Sequence, residues 1–93
     1  MNHTLCVSYD IPEDSDYSSL IEQMKSYPAW WHSLESTWLI RTNKSCRVVR
    51  DELKNLIPNG GGLIVFKVGD DWSTYRIPSA GTEWLQRNWD EMK

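Results

Sequence analysis

Ninety-three residues carrying 10 basic and 13 acidic side chains give a short chain of formal net charge −3. That length suits one domain spanning 1–93, which buries only about 60–65% of its unfolded surface, so a dimer that hides a further apolar face fits the size. The acidic balance argues against nonspecific nucleic-acid binding as a whole-chain property, because neutralised phosphates supply most of that affinity.

The first predicted element is a strand over 4–10, Thr4-Leu5-Cys6-Val7-Ser8-Tyr9-Asp10, rich in β-branched and aromatic residues and closed by Pro12. Alternation puts Leu5, Val7 and Tyr9 on one face and Cys6, Ser8 and Asp10 on the other. An acidic turn, Glu13-Asp14-Ser15-Asp16, follows. Tyr17, Leu20, Ile21 and Met24 then recur at helical spacing and predict a helix over 17–27, capped by Ser15 or Asp16 and stopped before Pro28. Residues 30–34 and 36–42 both favour strand, and Glu35-Ser36 between them suits a tight turn or a bulge. A hairpin of two strands is the preferred reading over one long strand.

Asn43 or Ser45 starts a second helix whose apolar stripe is Cys46, Val49, Leu53, Leu56 and Ile57. Pro58-Asn59-Gly60-Gly61-Gly62 ends it. This glycine run leads from a helix into a strand, the reverse of a phosphate cradle. Residues 63–68, Leu-Ile-Val-Phe-Lys-Val, read as a strand buried on both faces. A turn at Gly69-Asp70-Asp71 precedes a short edge strand over 72–77. A last helix, capped by Ser79 or Thr82, turns Trp84, Leu85, Trp89 and Met92 inward. The order β-α-β-β-α-β with an added short C-terminal strand and helix predicts an α+β, ferredoxin-like sandwich. Its two main helices would cover one sheet face and leave the other for a partner.

Candidate chemistry is sparse. Asp10, at the C-terminal end of the first strand, is the carboxylate best placed to hold a divalent cation such as magnesium, although one carboxylate is a poor site and two across a dimer axis a better one. The plain alternative is that Asp10 begins the following turn. Asp14, Asp16, Asp70 and Asp71 read as solvated turn residues, and His3 and His32 lack partners at metal-ligand spacing. Arg41, Lys44, Arg47 and Arg50 form the one basic cluster, a candidate RNA or DNA contact if it is not simply a solvated face. Cys6 and Cys46 read as reduced thiols, so a cytoplasmic protein is expected. No segment approaches the roughly 18 apolar residues of a membrane span, and no leader pattern opens the chain. The six tryptophans are explained most simply as bulk for a small core.

The strand ending Val7-Ser8-Tyr9-Asp10, followed by a helix and then by Ser36-Thr37-Trp38 opening a strand, resembles the CRISPR-associated Cas-two endonuclease family. Trp30-Trp31-His32 and Glu35-Ser36-Thr37-Trp38 resemble the small SinR-like proteins of the same superfamily more closely still. The resemblance covers residues 4–68 and the last helix. It implies a ferredoxin-like fold, a homodimer packed through the open sheet faces, and Asp10 of both subunits beside the axis as a catalytic, magnesium-binding residue. The chain departs from the nuclease pattern in its acidic Glu13, Asp14 and Asp16, in Trp38 where phenylalanine is usual, and in its overall charge. The alternative function is therefore a non-enzymatic dimeric interaction module, antitoxin-like or a phage-type regulator, binding a protein or small ligand through its tryptophan-rich surface.

Overall fold

A computed structural model describes residues 2–12, 15–69, 71–77 and 79–87. The elements are β1 (His3–Asp10), α1 (Ser18–Lys25), β2 (Ala29–Leu34), β3 (Thr37–Thr42), α2 (Cys46–Leu53) with a short 3-10 turn at Lys54–Leu56, β4 (Gly62–Lys67) and α3 (Ser79–Arg87). The four strands make one sheet in the order β2-β3-β1-β4, and every neighbouring pair is antiparallel. The protein is thus α+β around a single antiparallel sheet.

β1 lies inside the sheet because its residues are apolar on both faces. Leu5 opposes Ile40 and Val7 opposes Trp38 on β3, while on β4 Val7 opposes Val65. Leu5, Val7 and Tyr9 face α1 and α2, where Leu20, Met24, Tyr27, Trp38, Ile40, Val49 and Leu53 complete the main core. Val7, Leu20, Met24, Trp38, Ile40, Val49 and Leu53 are fully buried there.

Both main helices start where side-chain chemistry allows. Ser45 is the N-cap of α2, its hydroxyl accepting from the Val48 amide at 3.2 Å. Ahead of α1, Asp16 accepts from the amide and hydroxyl of Ser18 at 3.0 and 2.9 Å. α1 ends at Lys25, two residues short of the 17–27 expectation. Ser26 bonds back to the Gln23 carbonyl, and Tyr27 leaves the helix to fill the core. The β2–β3 hairpin forms with its turn at Glu35–Ser36, and a register shift between Trp31 and Leu34 absorbs the irregularity there.

Three expectations need correction. Residues 72–77 form no strand. Arg76 adopts a left-handed φ of 55°, a conformation that breaks an extended run, and Trp72 and Ile77 instead pack onto the sheet. The second sheet face is not left open either. Cys6, Trp31 and Leu39 form a smaller core with Leu85 of α3, against which Val68, Trp72, Ile77 and Trp84 pack. Finally, β4 is an edge strand and is buried on one face alone: Leu63 and Val65 pack on the main core, whereas Ile64 and Phe66 are 59% and 47% exposed. Trp89 and Met92, expected on the last helix, lie outside the described residues.

Two substitutions check this packing. Val7→Asp puts an unpaired carboxylate beneath the helices at a cost of several kcal/mol and should abolish the folded circular-dichroism spectrum. Ser45→Ala, which removes only a cap, should lower unfolding stability by about 1 kcal/mol in urea titrations.

Candidate functional site

Asp10 ends β1, is exposed, and stands opposite Gly62 in the β4 register. The backbone holds it tightly. A Cβ at Gly61 would lie 2.6 Å from the Asp10 carbonyl oxygen and 2.9 Å from Cγ2 of Ile57, and Gly60 has φ +90°. The glycine run thus brings the α2–β4 connection against the end of β1, and only glycine fits at the closest approach.

Beside Asp10 is a cleft of about 390 Å3 lined by Tyr9, Ile11, Pro12, Ser15, Tyr17, Glu35 and Ser36. The hairpin closes one side of it. The Tyr9 amide donates to the Ser36 carbonyl at 3.0 Å, and Ser8 and Thr37 hydroxyls lie 3.3 Å apart. The Trp38 indole donates to the Tyr9 hydroxyl at 3.2 Å. Burial pushes the Tyr9 phenol up, against the opposing effect of that hydrogen bond, so Tyr9 is a neutral hydroxyl at physiological pH. His32 stacks on Trp38 with centroids 3.9 Å apart, and its Nε2 lies 3.0 Å from the Glu35 carbonyl oxygen. His32 is therefore a packing and turn-bracing residue.

Among the described residues, Asp10 and Glu35 are the carboxylates of this cleft. Among the described residues no three of His, Cys, Asp and Glu converge as a metal site. Magnesium takes a near-octahedral oxygen set, much of it water. Glu13 and Asp14 lie outside the described residues.

The four basic residues do not form one patch. Arg41 is 3% exposed. It sits on β3 opposite Thr4, and its guanidinium donates to the Thr4 hydroxyl at 2.8 Å and to the Asn2 carbonyl at 3.2 Å. This is a correction: Arg41 is a structural residue of the second sheet face and offers nothing to a phosphate. Lys44 is paired with Glu52 and lies over the Tyr27 ring. Arg50 grips Asp51 at 2.9 Å, and Asp51 also faces Lys54 at 3.6 Å. Arg47 and Arg50 do share a shallow groove with Leu63, Ile64 and Val65, and Arg47 has no ion pair among the described residues.

A second cleft, also about 390 Å3, escaped the sequence reading. It lies between the second sheet face and the 72–77 segment, and both Trp31 and Trp72 line it. Their indole nitrogens are buried, without a hydrogen-bond partner among the described residues. A donor left so costs about 1–3 kcal/mol, and most native proteins avoid it. The signal in the sequence was the tryptophan count, which core-filling seemed sufficient to explain.

No family model, curated protein or solved structure matches the chain.

The Tyr27–Glu52–Lys44 cluster beneath the basic residues makes a pH prediction. The Tyr27 hydroxyl donates to Glu52 at 2.7 Å. Burial first, then the Glu52 carboxylate, pushes its phenol up to about 12. The unfolded chain loses this proton near pH ~10 and the folded chain keeps it for longer. The contribution is complete below that pH and is lost as pH rises toward the folded value, at up to ~1.4 kcal/mol per unit. Urea midpoints measured across this alkaline range should fall more steeply for wild type than for Tyr27→Phe; equal slopes would refute the assignment.

Proposed function

We propose that this chain is a ferredoxin-like, Cas-two-like module that works by association: a cytoplasmic homodimer whose subunits meet along β4 and which then engages a protein partner, as an antitoxin-like or regulatory protein would. The reading of fold and superfamily draws support from the order β-α-β-β-α-β, from the sheet order β2-β3-β1-β4, and from the place of Ser36-Thr37-Trp38 beside the end of β1.

The observation that carries association is the edge strand. Among the described residues β4 has no strand on its outer side, and it presents Ile64 and Phe66 on one exposed face. An apolar, proline-free edge is a template for pairing with another chain, here with a single charge, Lys67, at the end of the strand, and fully burying two such side chains contributes about 1.5–3 kcal/mol each. The free thiols Cys6 and Cys46 fit a reducing compartment.

A second reading, metal-dependent cleavage of nucleic acid at Asp10, draws on one specific observation. Asp10 and Ile64 line the same shallow depression at the β1–β4 end, so a dimer meeting at Ile64 would bring two Asp10 carboxylates toward each other. The acidic balance, the burial of Arg41 and the pairing of Lys44 and Arg50 weigh against it.

Light scattering after size exclusion should give a dimer mass for wild type and a monomer for Ile64→Lys/Phe66→Lys with an unchanged circular-dichroism spectrum. A wild-type monomer at high protein concentration would overturn association. Labelled RNA and duplex DNA should remain intact with magnesium as with chelator. Metal-dependent cleavage that disappears in Asp10→Asn would establish the nuclease reading in its place.

A further inference from the structure

The cleft at the end of β1 is built from aromatic rings as well as carboxylates. Three parts of the chain meet there: Tyr9 and Asp10 close β1, Tyr17 leads into α1, and Glu35 lies in the β2–β3 turn. At about 390 Å3 it falls within the range of small ligand sites. No basic side chain lines it among the described residues, and neither carboxylate has an ion pair among them.

Two exposed carboxylates alone would be a solvated turn, and the aromatic wall is what sets this cleft apart. The Tyr9 and Tyr17 rings pack with centroids 6.4 Å apart and planes 55° apart. Tyr9 is 7% exposed and anchored by the Trp38 indole, whereas Tyr17 is 38% exposed and has ring surface to offer. Glu35 belongs to the same group: after burial, Tyr17 and Glu35 also push the Tyr9 phenol up. A ring face and a carboxylate both attract a cation, and an anion is repelled by each. Hydration then chooses among cations. Magnesium gives up its water reluctantly, and an ammonium is a strongly hydrated point charge. A guanidinium is planar and weakly hydrated, so it can lie on a tyrosine ring while its edge donates to a carboxylate.

We propose that this cleft binds a guanidinium group on an alkyl stem, stacked on Tyr17 with its N–H edge donating to Asp10, Glu35 or both. That chemistry is shared by an arginine side chain of a partner protein and by a free alkylguanidine. The site belongs to a single chain and does not depend on the association proposed above.

The probes are N-acetylarginine N-methylamide, its citrulline counterpart, which keeps the shape but lacks the charge, ethylguanidinium, and magnesium chloride alone. The readout is 1H–15N spectra: the amides of Asp10, Tyr17 and Ser36, and the Trp38 indole, which reports on Tyr9 through their hydrogen bond. The arginine probe should shift these signals saturably, with a Kd of about 1 mM, and the citrulline probe should bind about tenfold more weakly. Glu35→Gln and Tyr17→Leu, both at exposed positions, should each weaken the arginine probe about threefold with an unchanged circular-dichroism spectrum. Tighter binding of the arginine probe than of ethylguanidinium assigns the site to a protein side chain, and the reverse order assigns it to a free alkylguanidine. Equal affinity for the arginine and citrulline probes would overturn the proposal. So would no saturable shift up to about 20 mM arginine probe, affinity unchanged in both variants, or magnesium that shifts the same signals and excludes the arginine probe. The mass of the same sample is read separately, so a monomer that binds the arginine probe refutes association alone, and a dimer with silent signals refutes this site alone.

Discussion

β1 has to bury both of its faces, and the rest of the chain is arranged around that constraint. Leu5 and Val7 are 1% and 0% exposed toward the helices, and Cys6 between them is 8% exposed on the opposite face. A strand apolar on both sides gains most where both its faces are covered, and at β1 the sheet is covered twice. α1 and α2 cover it once, through Leu20, Met24, Val49 and Leu53. The second cover comes from α3 and the segment before it, through Leu85, Trp72 and Ile77. The two layers differ in extent. The helical side is a continuous core, whereas the C-terminal side reaches over Cys6, Trp31 and Leu39 and leaves Ile64 and Phe66 bare.

That unequal cover shapes the functional surface. Had the second face been wholly open, it would have offered a broad apolar plane for a sheet-to-sheet dimer. With α3 in place, what remains is an apolar edge at β4 and a cleft under residues 72–77. The same layer removes a cation from the surface, because Arg41 lies on this face and is held by Thr4 and Asn2. Lys44 and Arg50 then stand beside Glu52 and Asp51, and their attraction for phosphate is largely cancelled locally.

Much of the fold could be read from periodicity. Alternation in β1 assigned its two faces correctly, and the stripe Cys46, Val49, Leu53, Leu56 and Ile57 located α2, of whose two candidate caps, Asn43 and Ser45, Ser45 is the one used, although the helix ends at Leu53. What escaped was set by tertiary context. The apolar run 63–68 is compatible with a central strand or with an edge whose bare face awaits a partner, and local pattern does not separate these. Arg41 was grouped with Lys44, Arg47 and Arg50 by proximity in sequence. It belongs, however, to a strand of period two, in which Thr37, Leu39 and Arg41 share the Cys6 face through the β1 register; that alternation was the available signal. The 72–77 segment looked extended because aromatic and β-branched residues favour strands, but the same residues serve equally well to plug a sheet face. Asp10 was located correctly at the end of β1, while its cleft partner Glu35 comes from a hairpin turn whose approach no spacing rule reveals.

The account rests most heavily on the claim that the chain covers its own second sheet face, and the Cys6 thiol reports on this directly. Burial pushes that thiol's pKa up, and Cys46, half-buried at the start of α2, can be replaced by serine to leave Cys6 as the sole reporter. The measurement is the rate at which Cys6 reacts with a water-soluble disulfide reagent in the Cys46→Ser chain, taken across a wide range of protein concentration. Cover by the chain's own C-terminal segment predicts slow labelling that is independent of concentration and becomes fast only in denaturant. Fast labelling of the folded chain when dilute, with protection that grows as concentration rises, would mean that a second subunit covers this face, and would contradict the account.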